Sequence, residues 1–406
     1  MQGQGRRIAV TGLGVVAPCG LGREAFWNGL LGPGLDGVGR STEIEDWDWT
    51  PYYDSPKEAR RADVSEQFAI AAATEALAQA GDVSADPTRF GTIFGTGVGG
   101  IFTLEEQIAT RLDKGDRRVS PFLVPMMMSN APGANISMRF GLRGPNETIT
   151  TACAAGTHAL IYAARLIAWG LADAVVTGGT EHAATPTALA GFGNMTALSS
   201  TGTSRPFDTA RDGFVMGEGS AAFVLEEWDA AVARGATILG EVAGGGSNAD
   251  AHHITAPSPG GVGAIDCMQL ALDDAGLQPA DIAQINAHGT STPLNDAAEA
   301  AAITQVFGAG NVPVVSTKGV TGHALGAAGA LEAAAVLLSF EHRQIPPTAN
   351  TKVLDDDMEI DVVMGEPREW EPGPTLSNNF GFGGHNASIL LQLSLIHISE
   401  PTRHIC

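Results

Sequence analysis

Apolar residues along the chain fall into two alternating patterns. Short runs rich in β-branched residues alternate with longer stretches rich in alanine and leucine, and this alternation is typical of an α/β protein. The short runs predict strands at Arg7–Thr11, Arg89–Phe94, Glu147–Ala152, Ala174–Thr177, Ala221–Leu225, Ile282–Asn286, Val312–Ser316 and Ala387–Leu393. The longer stretches predict helices that include Ser65–Ala80, Ala154–Trp169, Gly263–Ala275, Asp296–Phe307 and Ala324–Phe340.

Two of the predicted helices differ from the others. Ala154–Trp169 and Ala324–Phe340 are rich in alanine, glycine and leucine on nearly every face and carry almost no charge. A helix that is apolar all round must be buried. Because each follows a predicted strand, we expect two similar halves, residues 1–243 and 244–393, with both helices in the middle of a layered structure. The glycine-rich segment Gly244–Asn248 is the predicted junction.

Composition and charge narrow the class of protein. Of 406 residues, 44% are hydrophobic and 17% are charged, so the chain supports a large core and is neither disordered nor fibrous. Its 45 acidic and 23 basic residues give a net charge of −22, which argues against nucleic-acid binding. No stretch approaches the ~20 apolar residues of a membrane span, and the first residues lack a signal-peptide pattern. The four cysteines have no disulfide or zinc spacing. We expect a soluble, cytoplasmic enzyme.

The last residues resemble a foreign sequence. Residues 393–403 read like the translation of a common sequencing-library adapter, and the predicted strand Ala387–Leu393 is complete without them. We expect residues 394–406 to be absent from the natural protein. His397, His404 and Cys406 are therefore given no functional role.

The most distinctive local feature is the run Thr151–Leu160, which contains Cys153. A predicted strand leads into Cys153, and a predicted buried helix begins directly after it. Free N–H groups and the positive end of the helix dipole favour a thiolate, so we expect a lowered cysteine pKa and a nucleophilic sulfur. The alternative is a buried structural cysteine, the more common role of a lone cysteine in such a core.

Two histidines lie at comparable positions in the second half. His288 follows a predicted strand in a loop of glycine and hydroxyl residues, and His323 lies at the start of the second apolar helix. The helix end and the nearby Lys318 both disfavour imidazolium, so we expect His323 to stay neutral. A neutral histidine that donates a hydrogen bond is suited to stabilising an enolate or oxyanion. Each histidine alone is more often structural, but a cysteine and two histidines at such strand ends favour catalysis.

A glycine-rich turn lies near the end of the chain, in Ser377–Asn386. Its glycines bring backbone N–H groups close to a reacting atom, and Phe380 and Phe382 are placed to gate a pocket. The alternative is a plain hairpin turn, which we favour for this run taken alone.

The chain also carries runs in the order that one enzyme family shows them: Val10–Val16, Gly95–Gly100, Phe140–Pro145, Ser204–Asp208 and Arg211–Gly219. With these runs and the motifs of Cys153, His288, Lys318 and His323, the chain resembles the β-ketoacyl-acyl-carrier-protein synthases over essentially all of residues 7–393. Within that family it is most similar to synthase II of bacterial fatty acid synthesis. The resemblance implies the thiolase fold, in which two similar α/β halves stack as five layers, αβαβα, usually in a homodimer.

The resemblance implies roles for the reacting side chains. Cys153 would accept the acyl group, and His288 and His323 would bind the malonyl thioester carbonyl and stabilise the enolate released by decarboxylation. Lys318 would orient His323 and set the local charge, with Glu332 as its partner.

It also implies roles for the residues around them. The backbone N–H groups of Cys153 and Phe382 would form the oxyanion hole, and Phe382 would act as a gate. Thr290 and Thr292 would hydrogen-bond the phosphopantetheine arm. Val98 would line the acyl pocket.

The implied reaction is the decarboxylative condensation of acyl-carrier with malonyl-carrier, which lengthens the chain by two carbons. It needs no metal or redox cofactor, because loss of carbon dioxide generates the carbanion. The alternatives are the ketosynthase subunit of a type II polyketide system and a non-catalytic partner that sets chain length. That partner typically lacks the nucleophile, which Cys153 supplies here. Gly319 departs from the serine that relatives usually carry.

The expected partner, the acyl carrier protein, is strongly acidic, so a chain at −22 needs a local basic surface to bind it. Lys57, Arg60 and Arg61 have the spacing of one helical face and are the predicted docking residues. The resemblance implies that this helix lies beside the tunnel mouth, with Arg205 near it. The alternative is a solvated charged turn.

Two other patterns are weak. Val10–Ala17 and Gly95–Gly100 mimic dinucleotide-binding fingerprints, but close helix–strand packing or a pocket wall explains their glycines better. His252 and His253 lack a third metal ligand at credible spacing.

Overall fold

The structure is a computed structural model that describes residues 5–393. Its strands are β1 Ile8–Ala17, β2 Gly20–Leu21, β3 Phe90–Gly95, β4 Asn146–Ile149, β5 Ala174–Glu181, β6 Gly219–Glu227, β7 Gly240–Ala249, β8 Gln284–Asn286, β9 Pro313–Val315, β10 Gln344–Ile345, β11 Asp361–Val362, β12 Arg368–Glu369, β13 Thr375–Gly381 and β14 His385–Gln392. Its helices are α1 Arg23–Leu30, α2 Pro56–Ala59, α3 Val64–Ala80, α4 Ile101–Lys114, α5 Leu123–Met127, α6 Ala131–Phe140, α7 Ala155–Ala168, α8 Pro186–Asn194, α9 Trp228–Ala233, α10 Val262–Ala275, α11 Pro293–Phe307, α12 Lys318–Thr321 and α13 Ala328–His342. Within residues 5–393, no helix is long and apolar enough to cross a bilayer. The tail at 394–406, for which a foreign origin is predicted, lies outside the described residues.

The strands form two halves with the same order and the same directions. In the first half the order is β4–β3–β5–β6–β1, with β3 parallel to β4 and β5, and with antiparallel pairs β5–β6 and β6–β1. In the second half β9–β8–β13–β14–β7 repeats this order and these directions. The halves join where Ala9 and Val10 of β1 pair with Glu241 and Gly240 of β7. The topology is therefore duplicated.

Helices α7 and α13 lie between the two halves. Helix α7 contacts β3 and β5 of the first half and β7 and β14 of the second, and α13 contacts β5 and β6 on one side and β13 on the other. On the outside of the first half, α3 covers β1 and β6, and α6 covers β3. On the outside of the second half, α10 covers β7 and β14 and contacts α11. The side chains of α7 and α13 are almost entirely buried, as their apolar composition predicts. The layers are αβαβα.

The two central helices cross at a pair of glycines. A Cβ atom on Gly156 of α7 would lie 2.9 Å from the backbone nitrogen of Ala330, and one on Gly329 of α13 would lie 2.0 Å from Thr157 Oγ1. Both distances are shorter than atoms tolerate, so no side chain larger than hydrogen fits at either position. The glycines bring the two helices to backbone contact and fix the halves against each other.

Each central helix is preceded by a 3₁₀ turn that begins with a strained residue. The turns are Ala152–Ala154 before α7 and Leu325–Ala327 before α13, and the first residue of each has a left-handed backbone, with φ of +50° for Ala152 and +44° for Leu325. The predicted start of the second helix at Ala324 is therefore wrong. Because α13 begins at Ala328, His323 precedes the helix instead of capping it.

Glycine-rich segments that lack regular hydrophobic alternation proved to be strands. Gly244–Asn248 lies inside β7, so it is not a linker between the halves. A Cβ on Gly246 would lie 2.1 Å from the carbonyl oxygen of Cys267 in α10, and one on Gly12 of β1 would lie 2.1 Å from that of Ala76 in α3. These glycines permit close helix–strand packing, the explanation preferred for the dinucleotide-like run of β1.

Candidate active site

A cavity of about 540 Å³ opens between the halves, next to the turns that precede α7 and α13. The first half contributes Cys153, and the second contributes His288 and His323. The described part of the chain also lines it with aromatic, hydroxyl and turn residues, among them Phe192, Phe214, Thr290, Thr292, Leu325, Phe380, Phe382 and Asn386. The three side chains on which the sequence argument depends therefore face one space.

Cys153 lies in the 3₁₀ turn before α7 and is 6% exposed, within the wall of the cavity. Burial raises the pKa of its thiol to about 11, while a hydrogen bond from the backbone N–H of Phe382 and the charge of Lys318 oppose the rise. The prediction of a lowered pKa is wrong because desolvation of the thiolate outweighs both favourable contacts. At neutral pH the Cys153 sulfur is therefore a thiol.

His288 follows β8 and is held on several sides. Its backbone N–H and that of Gly289 donate to the two oxygens of Glu299, at 2.8 and 2.7 Å. Its Nδ1 lies 3.3 Å from both Lys318 Nζ and Asn379 Nδ2, which are donors. Two donors at Nδ1 favour the tautomer with the ring proton on Nε2, and a hydrogen bond from the ring to the backbone carbonyl of Phe380 opposes the fall of the pKa. Burial, then the charge of Lys318 and the repulsion between His288 and His323 if both were protonated, hold the pKa of His288 well below its usual range.

His323 lies between α12 and the 3₁₀ turn before α13. Its backbone N–H donates to the carbonyl of Val215 at 2.8 Å, and its carbonyl accepts from the N–H of Gly217 at 3.0 Å. Its ring stands edge-on to His288, with centroids 5.3 Å apart, and to Phe214, at 5.1 Å. Burial and the charge of Lys318 hold its pKa well below the usual range. The predicted neutrality follows, but from burial and Lys318, since the helix begins five residues later.

Lys318 lies beside the His288 ring and is 1% exposed. Its ammonium pairs with Glu332 and donates to the backbone carbonyl of His288 at 2.6 Å. The predicted partner Glu332 is in place, but Lys318 orients His288 by direct contact and acts on His323 only through its charge. The prediction that Lys318 orients His323 is therefore wrong. Asn379, to which sequence reasoning gave no role, donates to Glu332 at 2.7 Å and completes the network.

The turn between β13 and β14 closes one side of the cavity. Phe382 lines the cavity, its backbone N–H bonds the Cys153 sulfur, and its ring lies 6.3 Å from that of Phe192. Gly383 and Gly384 adopt φ of +86° and +74°, conformations that favour glycine and that allow the chain to reverse directly after Phe382.

The hydroxyl pair at the cavity mouth lies where α11 begins. Thr290 and Thr292 both line the cavity, and their Oγ1 atoms are 2.9 Å apart. Ser291, between them, has φ of +70° and donates its N–H to buried Asp296 at 3.1 Å, which keeps the loop in place. The hydroxyl of Ser291 accepts from the backbone N–H of Arg205 at 2.9 Å, so Arg205 lies beside this loop.

Val98 does not reach this cavity. Its side chain is 44% exposed, and its backbone N–H donates to Glu181. The prediction that Val98 lines the acyl pocket therefore has no support from this cavity.

The predicted docking residues lie at the surface. Lys57, Arg60 and Arg61 are exposed in and after the short helix α2, and none of them lines the cavity. The guanidinium of Arg61 lies 4.4 Å above the ring of Phe122, which joins α2 to the segment after α4. No group of three or more metal-ligating side chains occurs among residues 5–393, and His253 Nδ1 instead accepts backbone N–H groups of its own loop.

A cysteine and two neutral imidazoles meet at the turns before the two central helices of a duplicated αβαβα structure, and this arrangement places the chain among the thiolase-fold ketosynthases. The chain belongs to the β-ketoacyl synthase family: residues 54–231 match its N-terminal domain and residues 239–352 its C-terminal domain. The chain is 43% identical to 3-oxoacyl-[acyl-carrier-protein] synthase 2 of Synechocystis sp., over 95% of this chain and 97% of the relative.

Solved structures agree with this assignment. A β-ketoacyl synthase from Burkholderia phymatum superposes with a TM-score of 0.88 at 33% identity, covering 96% of this chain and 100% of that one. A type II PKS ketosynthase in complex with its acyl-carrier protein superposes with a TM-score of 0.87 at 31% identity, covering 96% and 99%. The predicted family and fold class are thereby confirmed.

Proposed function

We propose that the chain is a 3-oxoacyl-[acyl-carrier-protein] synthase of the synthase 2 type, which condenses acyl-carrier with malonyl-carrier in fatty acid elongation. The observation that carries the proposal is the placement of Cys153, His288 and His323 on one cavity. The names of the curated relatives favour this activity over a type II polyketide subunit. The retained cysteine weighs against a non-catalytic partner.

In the first half-reaction Cys153 attacks the carbonyl carbon of the acyl-carrier thioester. The thiol proton passes to the departing pantetheine sulfur, and the acyl group becomes a thioester of Cys153. The N–H groups of Cys153 and Phe382 stabilise the oxyanion of the tetrahedral intermediate. Because the Cys153 thiol has a raised pKa, proton transfer must accompany its attack. Neutral His323 is the proposed acceptor of the thiol proton.

In the second half-reaction the malonyl thioester carbonyl accepts hydrogen bonds from His288 and His323. The bond between the methylene carbon and the carboxylate breaks, carbon dioxide leaves, and the electron pair forms an enolate held by the two rings. The enolate carbon attacks the acyl thioester, and the Cys153 sulfur leaves and recovers a proton. Atoms and charge balance with a proton taken up, so the reaction as written uses no redox cofactor.

The buried ammonium of Lys318 explains why the His288 and His323 rings donate hydrogen bonds in their neutral form. Its charge and the burial of both rings hold their pKa values well below the usual range, so neither ring is imidazolium at neutral pH. Asn379 and Lys318 hold His288 with Nε2 as its N–H, which is the tautomer that an enolate oxygen needs.

The phosphopantetheine arm is proposed to enter past Thr290 and Thr292, which line the outer wall. The carrier is proposed to dock on exposed Lys57, Arg60 and Arg61, with Arg205 beside the threonine loop.

The contact of Arg61 with Phe122 extends this basic surface to Arg117 and Arg118, which are exposed five and four residues before Phe122. A cluster of cations on a chain at −22 gives the carrier one site of local attraction.

A second copy of the chain is proposed to cover the apolar face of α4 to α6. Leu112 and Met138 there are 74% and 72% exposed, and β4 is the edge strand of the first half. Exposed apolar side chains beside an unpaired sheet edge are typical of a surface that a partner covers. The cytoplasm is the proposed location.

The test is incubation of the purified chain with an acyl-carrier and a malonyl-carrier, with mass spectrometry of the carrier products. We expect a 3-oxoacyl-carrier two carbons longer, formed without a second protein, and no such product from the variant Cys153→Ala at equal folded concentration. An active alanine variant would remove the nucleophile assignment. Product only after addition of another subunit would favour the partner role.

A further inference from the structure

Glu181 is a fully buried carboxylate that lies outside the cavity lining and has no part in the reaction as written. It ends β5, at the edge of the first half that faces the site. Four donors point at it. Oε2 accepts the backbone N–H groups of Gly97 at 2.6 Å and Gly326 at 2.9 Å, and Oε1 accepts from Thr96 Oγ1 at 3.1 Å and from the N–H of Val98 at 3.3 Å.

The Oε2 bonds join segments from different halves of the molecule. Gly97 follows β3 of the first half, and Gly326 is the middle residue of the 3₁₀ turn before α13. The two segments touch, because a Cβ on Gly326 would lie 2.1 Å from the backbone nitrogen of Gly97 and 2.8 Å from Glu181 Oε2. One oxygen therefore ties the turn before α13 to the first half at a point where backbone packs on backbone.

The tied turn corresponds to the turn that carries the nucleophile. Ala152 and Leu325 both adopt left-handed backbones and begin 3₁₀ turns, and Cys153 and Gly326 come directly after them. A non-glycine residue keeps such a conformation only where its surroundings hold it. At Leu325 this conformation is stabilised by Glu181, which accepts a hydrogen bond from the N–H of the next residue, Gly326.

The position of Leu325 matters to the cavity. Leu325 lines the cavity and packs in one apolar cluster with Cys153, Leu198, Phe214 and Met216. If the turn were released, Leu325 could relax towards an ordinary backbone conformation, and the wall that faces the cysteine would move. His323, two residues earlier, lies on the same segment.

We propose that Glu181 is a positioning residue of the condensation site: its carboxylate holds the turn Leu325–Ala327 and, through it, the cavity wall beside Cys153 and His323. The inference rests on the proposed function. Glu181 acts through the backbone of Gly326 and touches neither substrate nor reacting atom.

The test compares Glu181→Ala, Glu181→Asp and Glu181→Gln with Glu226→Ala as the matched control. Glutamine retains an oxygen for the N–H groups of Gly97 and Gly326, but its NH2 then faces Thr96 Oγ1 and the N–H of Val98, which donate to Oε1 in the wild type. Alanine removes both oxygens, and aspartate withdraws them by one carbon. Glu226 is another buried carboxylate of the same sheet and is 2% exposed. It lies on β6 opposite Ala174, which is at the other end of β5 from Glu181.

We expect kcat of the folded protein to fall by about 10- to 100-fold in Glu181→Ala, with KM for the acyl-carrier nearly unchanged, since misplacement without loss of binding has this size. The kcat of Glu181→Asp and of Glu181→Gln should fall less, because glutamine keeps the acceptor for Gly97 and Gly326, and the folded fraction of Glu226→Ala should keep its kcat. If Glu181→Ala does not fold, Glu181→Asp and Glu181→Gln decide. Wild-type kcat in a folded Ala or Asp variant, or a Gln variant as slow as the alanine one, would overturn the proposal.

Hydrogen exchange by mass spectrometry separates this inference from the proposed function, because it needs no substrate. We expect faster amide exchange in a peptide covering residues 322–330 in Glu181→Ala, and unchanged exchange there in Glu181→Gln and Glu226→Ala. Absence of a 3-oxoacyl product from the wild type would refute the proposed function. Amide exchange would still report whether Glu181 holds the turn Leu325–Ala327. Unchanged exchange in Glu181→Ala would overturn the role of Glu181 whatever the activity.

Discussion

Removing the cation of the buried Lys318–Glu332 pair should make the stability of the protein depend steeply on pH. The two side chains are 1% and 2% exposed, so each charge depends on the other and on nearby dipoles for stabilisation. In the variant Lys318→Met, Glu332 loses the ammonium and keeps the hydrogen bond from Asn379. Methionine fills similar space without charge, and it also removes the hydrogen bond to the carbonyl of His288, a loss that the double variant described below shares.

The sign follows from the carboxyl group that is left. Burial already raises the pKa of Glu332, and Lys318 opposes that rise. Without Lys318 the folded-state pKa moves further above the unfolded value of about 4.3. The folded variant then binds a proton that the unfolded chain releases, and its free energy of unfolding decreases by up to about 1.4 kcal/mol per pH unit above about pH 5. Near pH 7 the loss reaches at most about 4 kcal/mol, within the range found when a buried ion pair is broken.

The assay is urea unfolding at several pH values from 5 to 8, at one protein concentration, for the wild type, Lys318→Met and the double variant Lys318→Met/Glu332→Leu. The double variant contains neither charge, so it should lose the added pH dependence and recover much of the stability at pH 8. Equal pH slopes for the single and double variants would show that Glu332 is not the titrating group, and the reasoning would be refuted.

Three further predictions concern the nucleophile, Gly319 and the basic surface. Alkylation of Cys153 by iodoacetamide should accelerate about tenfold per pH unit up to at least pH 10, because the pKa of its thiol is raised to about 11; a plateau below pH 8 would contradict this. Gly319→Ser should lower the free energy of unfolding by about 1–3 kcal/mol, because its Cβ would lie 2.5 Å from the carbonyl oxygen of Ala349; thermal melts that coincide with the wild type would count against it. Arg61→Glu should raise KM for acyl-carrier several-fold and leave turnover of acyl-pantetheine unchanged, and an equal effect on both substrates would exclude docking there.

The two apolar helices carried most of what the sequence could predict about the fold. Their composition on every face permits only a buried position, and a buried helix after a strand in each half implies duplication. Strand β7 was missed because its run of glycines has no hydrophobic alternation, and only the carbonyl of Cys267 in α10, distant in sequence, explains the need for Gly246. Strand β13 was missed because it is polar and lies within a run dominated by turn residues.

At the site, residue types were predictable and energies were not. The order Cys153, His288, His323 indicates the chemistry, but the pKa of Cys153 depends on how much solvent the fold removes, and that quantity is set by distant packing. Asn379 and Glu299 were not assigned because a single polar residue in a strand or an alanine-rich helix has no motif. Their signal is burial, since both are about 0–1% exposed, and that appears only in three dimensions.

The close approach of Gly156 to Ala330 and of Gly329 to Thr157 makes the packing of each half depend on a glycine of the other. A chimera that takes residues 1–243 from one relative and the remainder from another inherits one of these two glycine positions from each parent. Its two halves can pack together only when both parents have glycine there. A recombination library built on this scaffold would therefore lose its members at the helix crossing first, well away from the cysteine and the histidines.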